Sequence, residues 1–173
     1  MSTAASLPEW FRCRRLVEFR DTDAAGIAHF SAFFFWMESA EHAFLRHLGL
    51  HVVDHAPEDA DDILAELAPL GTNKPHEPLE VSWPRVSVSA DYRAAVRFGE
   101  EVEVAVGVVE VGASSVTYAF RFERQGLLVA TGKVVAVRCL MRRGQKPLPV
   151  RIPPGVVSRL RNHLVPAAAA EAS

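Results

Sequence analysis

The sequence predicts an α+β domain in which a curved antiparallel sheet wraps around one long central helix. Two observations carry this prediction. An aromatic segment with helical periodicity covers residues 32–48, and in the second half of the chain apolar and polar residues alternate as they do in half-buried strands. A long helix followed by a run of strands is typical of α+β proteins.

Length and composition favour one domain spanning residues 1–173. Hydrophobic residues make up 49% of the 173 residues and charged residues 23%, which is ample for a core. Nineteen Lys and Arg against twenty-one Asp and Glu give a formal charge of -2, without the basic excess of nucleic-acid-binding proteins. The first ten residues lack the pattern of a secretory signal, and the longest bulky apolar run, Phe33 to Met37, is too short to span a membrane. We therefore expect a soluble cytoplasmic protein with neither a nucleic-acid nor a membrane partner.

The first predicted element is a strand from Cys13 to Phe19. The following segment, Asp21 to Gly26, is rich in Asp and Gly, which favour turns through side-chain hydrogen bonds and positive φ angles. The long helix then begins after Ser31, a plausible N-cap, and ends before Gly49, which suits a left-handed stop. Its wide apolar arc indicates a largely buried helix.

The second half is predicted as hairpins, with turns at residues 112–114 and 124–126, and the domain core as residues 13–140. Before these strands, residues 51–82 form an insert interrupted by prolines. A short helix is predicted there over Asp61 to Leu67, and a loop over Gly71 to Glu80. After the core we expect a short helix over residues 155–164 and a frayed tail over 166–173.

One segment of this sequence resembles a known family. The run from Val17 to Phe30, VEFRDTDAAGIAHF, together with Phe33, Trp36, Glu38 and Ala40, resembles the signature of 4-hydroxybenzoyl-CoA thioesterase-like hotdog proteins. The resemblance extends from about Arg14 to Cys139 and leaves out the insert. It implies a hotdog fold, an active site at a subunit interface, and hydrolysis of an acyl-CoA thioester.

The resemblance also implies roles for individual residues. The second Asp of the family motif is catalytic and corresponds to Asp23, either as a general base for water or as a nucleophile. The oxyanion donor corresponds to the backbone N–H of Phe30, where a helix start favours negative charge. Gly26 is suited to a backbone that approaches the substrate closely. His29 is a candidate general acid, although family members with a His here have it one position later.

Each of these residues has a simpler interpretation. Asp21 and Asp23 are turn-forming residues by type, and we retain that interpretation for Asp21. Asp21, Asp23 and His29 also resemble a set of metal ligands, but no second cluster of ligands follows, so we expect no metal. Glu41, at the edge of the apolar arc, either contacts the substrate or a partner subunit or is structural, and we favour the structural role. Lys146 is a candidate for binding the CoA phosphates or an ordinary residue of a basic loop.

The leading hypothesis is an acyl-CoA thioesterase without a cofactor, assembled as a homodimer or homotetramer because the sheet edges and aromatic helix leave apolar surface uncovered. One alternative is a hotdog dehydratase or hydratase, which uses a His with a carboxylate on the central helix. Another is a non-catalytic module that binds acyl-CoA. The sequence does not specify the acyl group.

Overall fold

The computed structural model describes residues 10–68 and 79–167. Within these ranges the chain forms nine strands and three α-helices, in the order β1 (Phe11–Leu16), α1 (Ala32–His47), β2 (Val53–Asp54), α2 (Ala60–Leu67), β3 (Glu80–Ser82), β4 (Arg85–Tyr92), β5 (Glu101–Val111), β6 (Ser115–Arg124), β7 (Leu127–Val137), β8 (Cys139–Met141), β9 (Leu148–Pro149) and α3 (Pro154–Arg161). None of the helices in the described part of the chain is both long and apolar enough to cross a membrane. The predicted α+β class is confirmed.

The main sheet has five antiparallel strands in the order β1-β5-β6-β7-β4. The predicted hairpins are present: β5 and β6 are joined through residues 112–114, and β6 and β7 through Gln125 and Gly126, both with positive φ. Strand β1 forms one edge of this sheet and β4 the other. A second sheet, β2-β3-β8-β9, was not predicted from the sequence.

Helix α1 is the longest helix and packs on the main sheet. Its buried apolar residues share one core cluster with residues of β5, β6 and β7: Ala32, Phe33, Trp36, Met37, Ala40, Phe44 and Leu45. The helix approaches β7 at Gly132, where a Cβ atom would overlap the sulfur of Met37. A side chain at this point of β7 would force Met37 to shift, so the glycine lets the helix lie close to the strand.

The boundaries of the predicted elements need some corrections. Strand β1 covers Phe11–Leu16 rather than 13–19, because Glu18 and Asp21 close a 3-10 turn at Phe19–Asp21. Helix α1 matches its prediction to within one residue, and Gly49 has the expected positive φ of 69°. Helix α3 covers Pro154–Arg161 rather than 155–164, so both of its ends lie slightly earlier in the chain than predicted.

The described parts of the insert, residues 51–68 and 79–82, contain α2, as predicted, and also β2 and β3. A small second core joins α2 to the second sheet, formed by Ile63, Leu67, Val81, Leu140 and Val150. Most of the loop predicted over Gly71 to Glu80, and the end of the predicted tail, lie outside the described residues.

Candidate active site

The loop between β1 and α1 begins with a turn that engages Asp21. One carboxylate oxygen of Asp21 accepts a hydrogen bond from the backbone N–H of Glu18 at 2.9 Å, and the backbone N–H of Asp21 donates to the Glu18 carbonyl at 3.0 Å. The Glu18 side chain also accepts a hydrogen bond from the Asp21 backbone N–H, so the two side chains and the two N–H groups form a reciprocal capping box. The structural interpretation of Asp21 is therefore confirmed.

Asp23 lies two residues later in a tighter turn and is exposed. Its Oδ1 accepts a hydrogen bond from the Ala25 N–H at 2.8 Å, and its carbonyl accepts one from the Gly26 N–H at 2.9 Å. Gly26 has a φ of 72°, a left-handed conformation that glycine adopts without strain. Among the described residues Oδ2 has no hydrogen-bond partner, so the turn holds the carboxylate and leaves one oxygen available for chemistry.

The chain returns from this turn as a short antiparallel arm. Bridges join Thr22 to Ala28 and Ile27 to Arg97, and the backbone N–H of His29 donates to the Asp21 carbonyl at 2.7 Å. The arm therefore links the Asp23 turn to the start of α1 through backbone hydrogen bonds. Both predicted catalytic groups belong to this one loop.

Phe30 lies in the turn that starts α1, and its backbone N–H has no acceptor among the described residues. The carbonyl at the other end of the same peptide unit, that of His29, accepts a hydrogen bond from the Ala32 N–H at 2.9 Å. A hydrogen bond to the carbonyl of a peptide polarises its N–H. Together with the helix dipole, this makes the Phe30 N–H a donor suited to a negatively charged oxygen.

The side chains around this turn are also held in place. Nδ1 of His29 lies 2.7 Å from the hydroxyl of Ser31 and 3.3 Å from the Ser31 backbone nitrogen. Ser31 therefore occupies the predicted N-cap position, but its hydroxyl contacts His29 instead of capping the helix. With Nδ1 engaged locally, Nε2 is the nitrogen of His29 that remains for a substrate.

A contact from the edge of the main sheet reaches the same turn. The hydroxyl of Tyr92, at the end of β4, donates a hydrogen bond to the Phe30 carbonyl at 2.9 Å, and its ring packs edge-to-face on Phe33 with centroids 5.1 Å apart. Tyr92 was not predicted as a residue of the site. No local pattern could have predicted it, because the two hydrogen-bonded residues are 62 positions apart.

The structure places Glu41 away from this loop. It is 1% exposed and contacts Arg85 of β4: Nε of Arg85 donates to Oε2 at 3.2 Å, and Oε1 lies 3.2 Å from Nη2 without a hydrogen bond of its own. Burial raises the pKa of Glu41, and the positive charge of Arg85 offsets part of that rise. Arg85 also donates to Nε2 of His42 at 2.7 Å, and burial together with the Arg85 charge lowers the pKa of His42.

Lys146 is exposed between β8 and β9, and no contact in the described part of the chain connects it to the Asp23 loop. A cleft of about 630 Å³ does border this loop, between β1 and the outer side of α1. It is lined by Arg14, Arg15, Leu16, Glu18, Arg20, Asp21, Phe35, Trp36 and Ser39. Asp21 is among these residues and Asp23 is not, so Asp23 faces solvent rather than this cleft.

The described residues contain no cluster of three or more His, Cys, Asp or Glu side chains placed to hold a metal ion. What the loop combines is one fixed carboxylate with a free oxygen and one free helix-start amide. A carboxylate can act as a base or a nucleophile, and a fixed amide can stabilise an oxyanion. These are the two functions that acyl transfer requires.

Comparisons with known proteins point to a single family. Residues 17–160 match the sequence model of the thioesterase-like superfamily. A 1,4-dihydroxy-2-naphthoyl-CoA hydrolase of Prochlorococcus marinus is 30% identical over 129 residues, which cover 75% of each chain.

Solved structures agree with this match. A hypothetical protein from Thermus thermophilus is 27% identical and superposes with a TM-score of 0.63, covering 87% of this chain and 96% of its own. A 1,4-dihydroxy-2-naphthoyl-CoA thioesterase from Synechocystis superposes with a TM-score of 0.66 over 88% and 96% of the two chains. At 17% sequence identity, this superposition is evidence for a shared fold and for nothing more.

Proposed function

The chain belongs to the thioesterase-like superfamily, and we propose that it hydrolyses an acyl-CoA thioester to a free acid and CoA, with Asp23 as the catalytic carboxylate. The observation that carries this proposal is the free N–H of Phe30 in a polarised peptide at the start of α1, seven positions after Asp23. The names of the relatives support the reaction class. The hotdog arrangement, with the main sheet curved around α1, belongs to the same proposal.

In the proposed reaction the thioester carbonyl oxygen lies against the Phe30 N–H, where the negative charge that develops on it is stabilised. In one route Asp23 takes a proton from a water molecule, whose oxygen bonds to the carbonyl carbon as the carbon–sulfur bond breaks. In the other route Asp23 bonds to the carbonyl carbon first, and water then hydrolyses the resulting anhydride. In both routes the electron pair of the broken bond leaves on the sulfur of CoA.

The thiolate that leaves needs little help, because thiols ionise near pH 8.5 and are good leaving groups. We assign Nε2 of His29 the supporting role of returning a proton to that sulfur. The left-handed turn at Gly26 gives the substrate room beside the Asp23 carboxylate. Lys146 remains a candidate for the CoA phosphates, and no metal or cofactor takes part.

A single chain leaves this site open to solvent, whereas enzymes of this class bury most of a ligand's surface. Strand β4 ends at Tyr92, beside the Phe30 turn, and its other edge is unpaired in the described structure. We therefore propose that a second copy of the chain pairs at β4 and covers the site, giving a homodimer or a tetramer built from such dimers. A cytoplasmic location, with no membrane or nucleic-acid partner, completes the proposal.

The experiment that tests this function measures thiol release from a panel of acyl-CoAs: short, long, benzoyl-CoA, 4-hydroxybenzoyl-CoA and 1,4-dihydroxy-2-naphthoyl-CoA. The wild-type protein should release CoA from at least one member. Asp23→Asn should lower the rate by at least about 100-fold, the lower range for loss of a positioned proton-transfer group. Its melting temperature should stay near that of the wild type, because Asn keeps the acceptor for the Ala25 N–H.

Asp21→Asn is the matched control, since Asp21 belongs to the same loop but uses its carboxylate in the turn. The rate of thiol release by Asp21→Asn should stay within about tenfold of the wild-type rate, because only one hydrogen bond is weakened. Full activity in Asp23→Asn, or no CoA release from any panel member, would contradict the proposed function.

The structure also bears on the dehydratase alternative. That chemistry needs a carboxylate of the central helix in the active site, but Glu41 is buried and ion-paired with Arg85. The other acidic residue of α1, Glu38, lies 3.9 Å from Nη1 of Arg85. Hydration of an enoyl-CoA without release of CoA would favour the dehydratase. Tight binding of acyl-CoA without any turnover would favour the non-catalytic module.

A further inference from the structure

Tyr92 connects the edge of the main sheet to the turn that carries the proposed oxyanion donor. Its hydroxyl donates to the Phe30 carbonyl at 2.9 Å, while its ring rests on the buried ring of Phe33. The tyrosine is 45% exposed, so the contact is made at the surface of the domain, beside the exposed Phe30. Packing of the ring on Phe33 fixes the direction in which the hydroxyl points.

We propose that Tyr92 is a positioning residue for thioester hydrolysis, which fixes the peptide geometry at Phe30 so that the Phe30 N–H points at the thioester oxygen. This inference rests on the proposed function. It concerns a residue that acts through the backbone of another residue, without touching the substrate.

The geometry of Phe30 explains how this works. Its N–H and its carbonyl are attached to the same Cα, so the direction of the N–H depends on the peptide units on both sides. The preceding unit is fixed by the hydrogen bond from the Ala32 N–H to the His29 carbonyl, and the following unit by the hydrogen bond from Tyr92. A donor fixed before the reaction stabilises developing charge without reorganising, which is why its orientation affects the rate.

The test uses Tyr92→Phe, which keeps the ring and its packing on Phe33 and removes one oxygen atom. Rates are measured with the panel member that the wild type hydrolyses fastest, and binding with the matching thioether, which is S-benzyl-CoA for benzoyl-CoA. The value of kcat should fall about two- to tenfold, the effect of losing one neutral hydrogen bond. The affinity for the thioether should not change, because a thioether has no carbonyl oxygen.

The chain supplies a matched control, because its only other tyrosine is Tyr118. The Tyr118 hydroxyl is buried on β6 and has no hydrogen-bond partner among the described residues. Tyr118→Phe therefore makes the same chemical change away from the loop. It should leave kcat and thioether binding unchanged.

A second measurement covers the case in which Tyr92→Phe does not fold. In Tyr118→Phe, Tyr92 is the sole tyrosine, so growth on 3-fluorotyrosine modifies it alone. Fluorine makes the phenol more acidic, and an ionised phenol cannot donate a hydrogen bond. Burial and the charge of Asp91 raise the pKa of Tyr92, so the unmodified protein should lose activity above about pH 10, and fluorination should move this loss to lower pH.

Three results would overturn the inference. The first is a Tyr92→Phe protein with wild-type kcat while Asp23→Asn is inactive, which would leave the proposed function intact. The second is thioether binding that weakens in parallel with the rate, since Tyr92 would then bind substrate. The third is a loss of activity at high pH that occurs at the same pH with and without fluorination of Tyr92. A wild-type protein that hydrolyses no acyl-CoA would refute the proposed function itself, and this inference with it.

Discussion

Glu41 shows how one buried carboxylate makes stability depend on pH. It is buried against the sheet, and burial raises its pKa above the ordinary value of 4.5 despite the ion pair with Arg85. The folded protein therefore favours the protonated form more strongly than the unfolded chain does. The contribution of Glu41 to stability is complete below about pH 4.5 and is lost as the pH rises through the raised pKa.

Glu41→Gln should reveal this dependence, because glutamine has the shape of the protonated side chain but cannot ionise. Near pH 4 the variant and the wild type should melt at similar temperatures. As the pH rises towards 8, the variant should become progressively more stable relative to the wild type. Thermal unfolding followed by circular dichroism across this range measures the difference.

Glu38→Gln is the control for this prediction. Glu38 lies 3.9 Å from both Arg85 and His42, so it belongs to the same charge cluster, but its side chain is 51% exposed and screened by solvent. The melting temperature of the Glu38→Gln protein should therefore equal that of the wild type at every pH. A Glu41→Gln protein whose relative stability stays flat or declines with rising pH would rule out the desolvation argument.

The same residue marks a limit of reasoning from sequence. Helical periodicity placed Glu41 at the edge of the apolar arc and left its role open, because the periodicity does not reveal that β4 presents Arg85 opposite it. The turn conformation of Gly26 and the stop at Gly49 were predictable, since glycine type and local context determine both. Tyr92 was not, because its role depends on a hydrogen bond between distant parts of the chain.

At the scale of elements, α2 is held to the main domain by a buried ion pair. Asp59, at the N-terminus of α2, accepts hydrogen bonds at 2.8 and 2.6 Å from the guanidinium of Arg138, which lies between β7 and β8. The side chains of Arg138 and Asp59 are 5% and 11% exposed. This pair joins the insert to the end of β7, one of the strands on which α1 packs.

Asp59→Asn should therefore destabilise the protein by about 3–5 kcal/mol, because it leaves the Arg138 charge buried without a countercharge. Urea unfolding monitored by tryptophan fluorescence measures the loss. The neighbouring Glu58 offers a control, since it pairs with Arg159 at 3.3 Å but the two side chains are 56% and 34% exposed. Glu58→Gln should cost less than about 1 kcal/mol. Equal losses in the two variants would contradict the role assigned to burial.

The long strands of the main sheet could be predicted from the sequence, whereas the short strands of the second sheet could not. Strands β5, β6 and β7 have ten or eleven residues each, long enough for the alternation of apolar and polar residues to be visible, and both of their hairpins were predicted. The second sheet has strands of two or three residues, too short for any period. Its strands form because the insert packs there, which is a tertiary effect.

At the scale of the whole molecule, the two edges of the main sheet differ. Strand β4 has eight residues, and its exposed side chains include Val86 and Val88, which are 63% and 43% exposed. An unpaired edge strand of this length with exposed valines offers a surface for pairing with another chain. Strand β1, at the other edge, is crossed by charge pairs such as Arg14 with Glu101, which discourage such pairing.

The proposed dimer should therefore depend on β4. Light scattering after size exclusion should give at least twice the mass of one chain, and Val88→Lys should weaken self-association by about 30-fold or more, the effect of some 2 kcal/mol at an interface centre. Leu16→Lys places the same charge on an aliphatic residue that is 60% exposed on β1, and it should leave the mass unchanged.

Because Asp23 is open to solvent in one chain, thiol release by Val88→Lys should fall as the dimer dissociates and recover at high protein concentration. A monomeric Val88→Lys protein with undiminished activity would show that one chain alone completes the site.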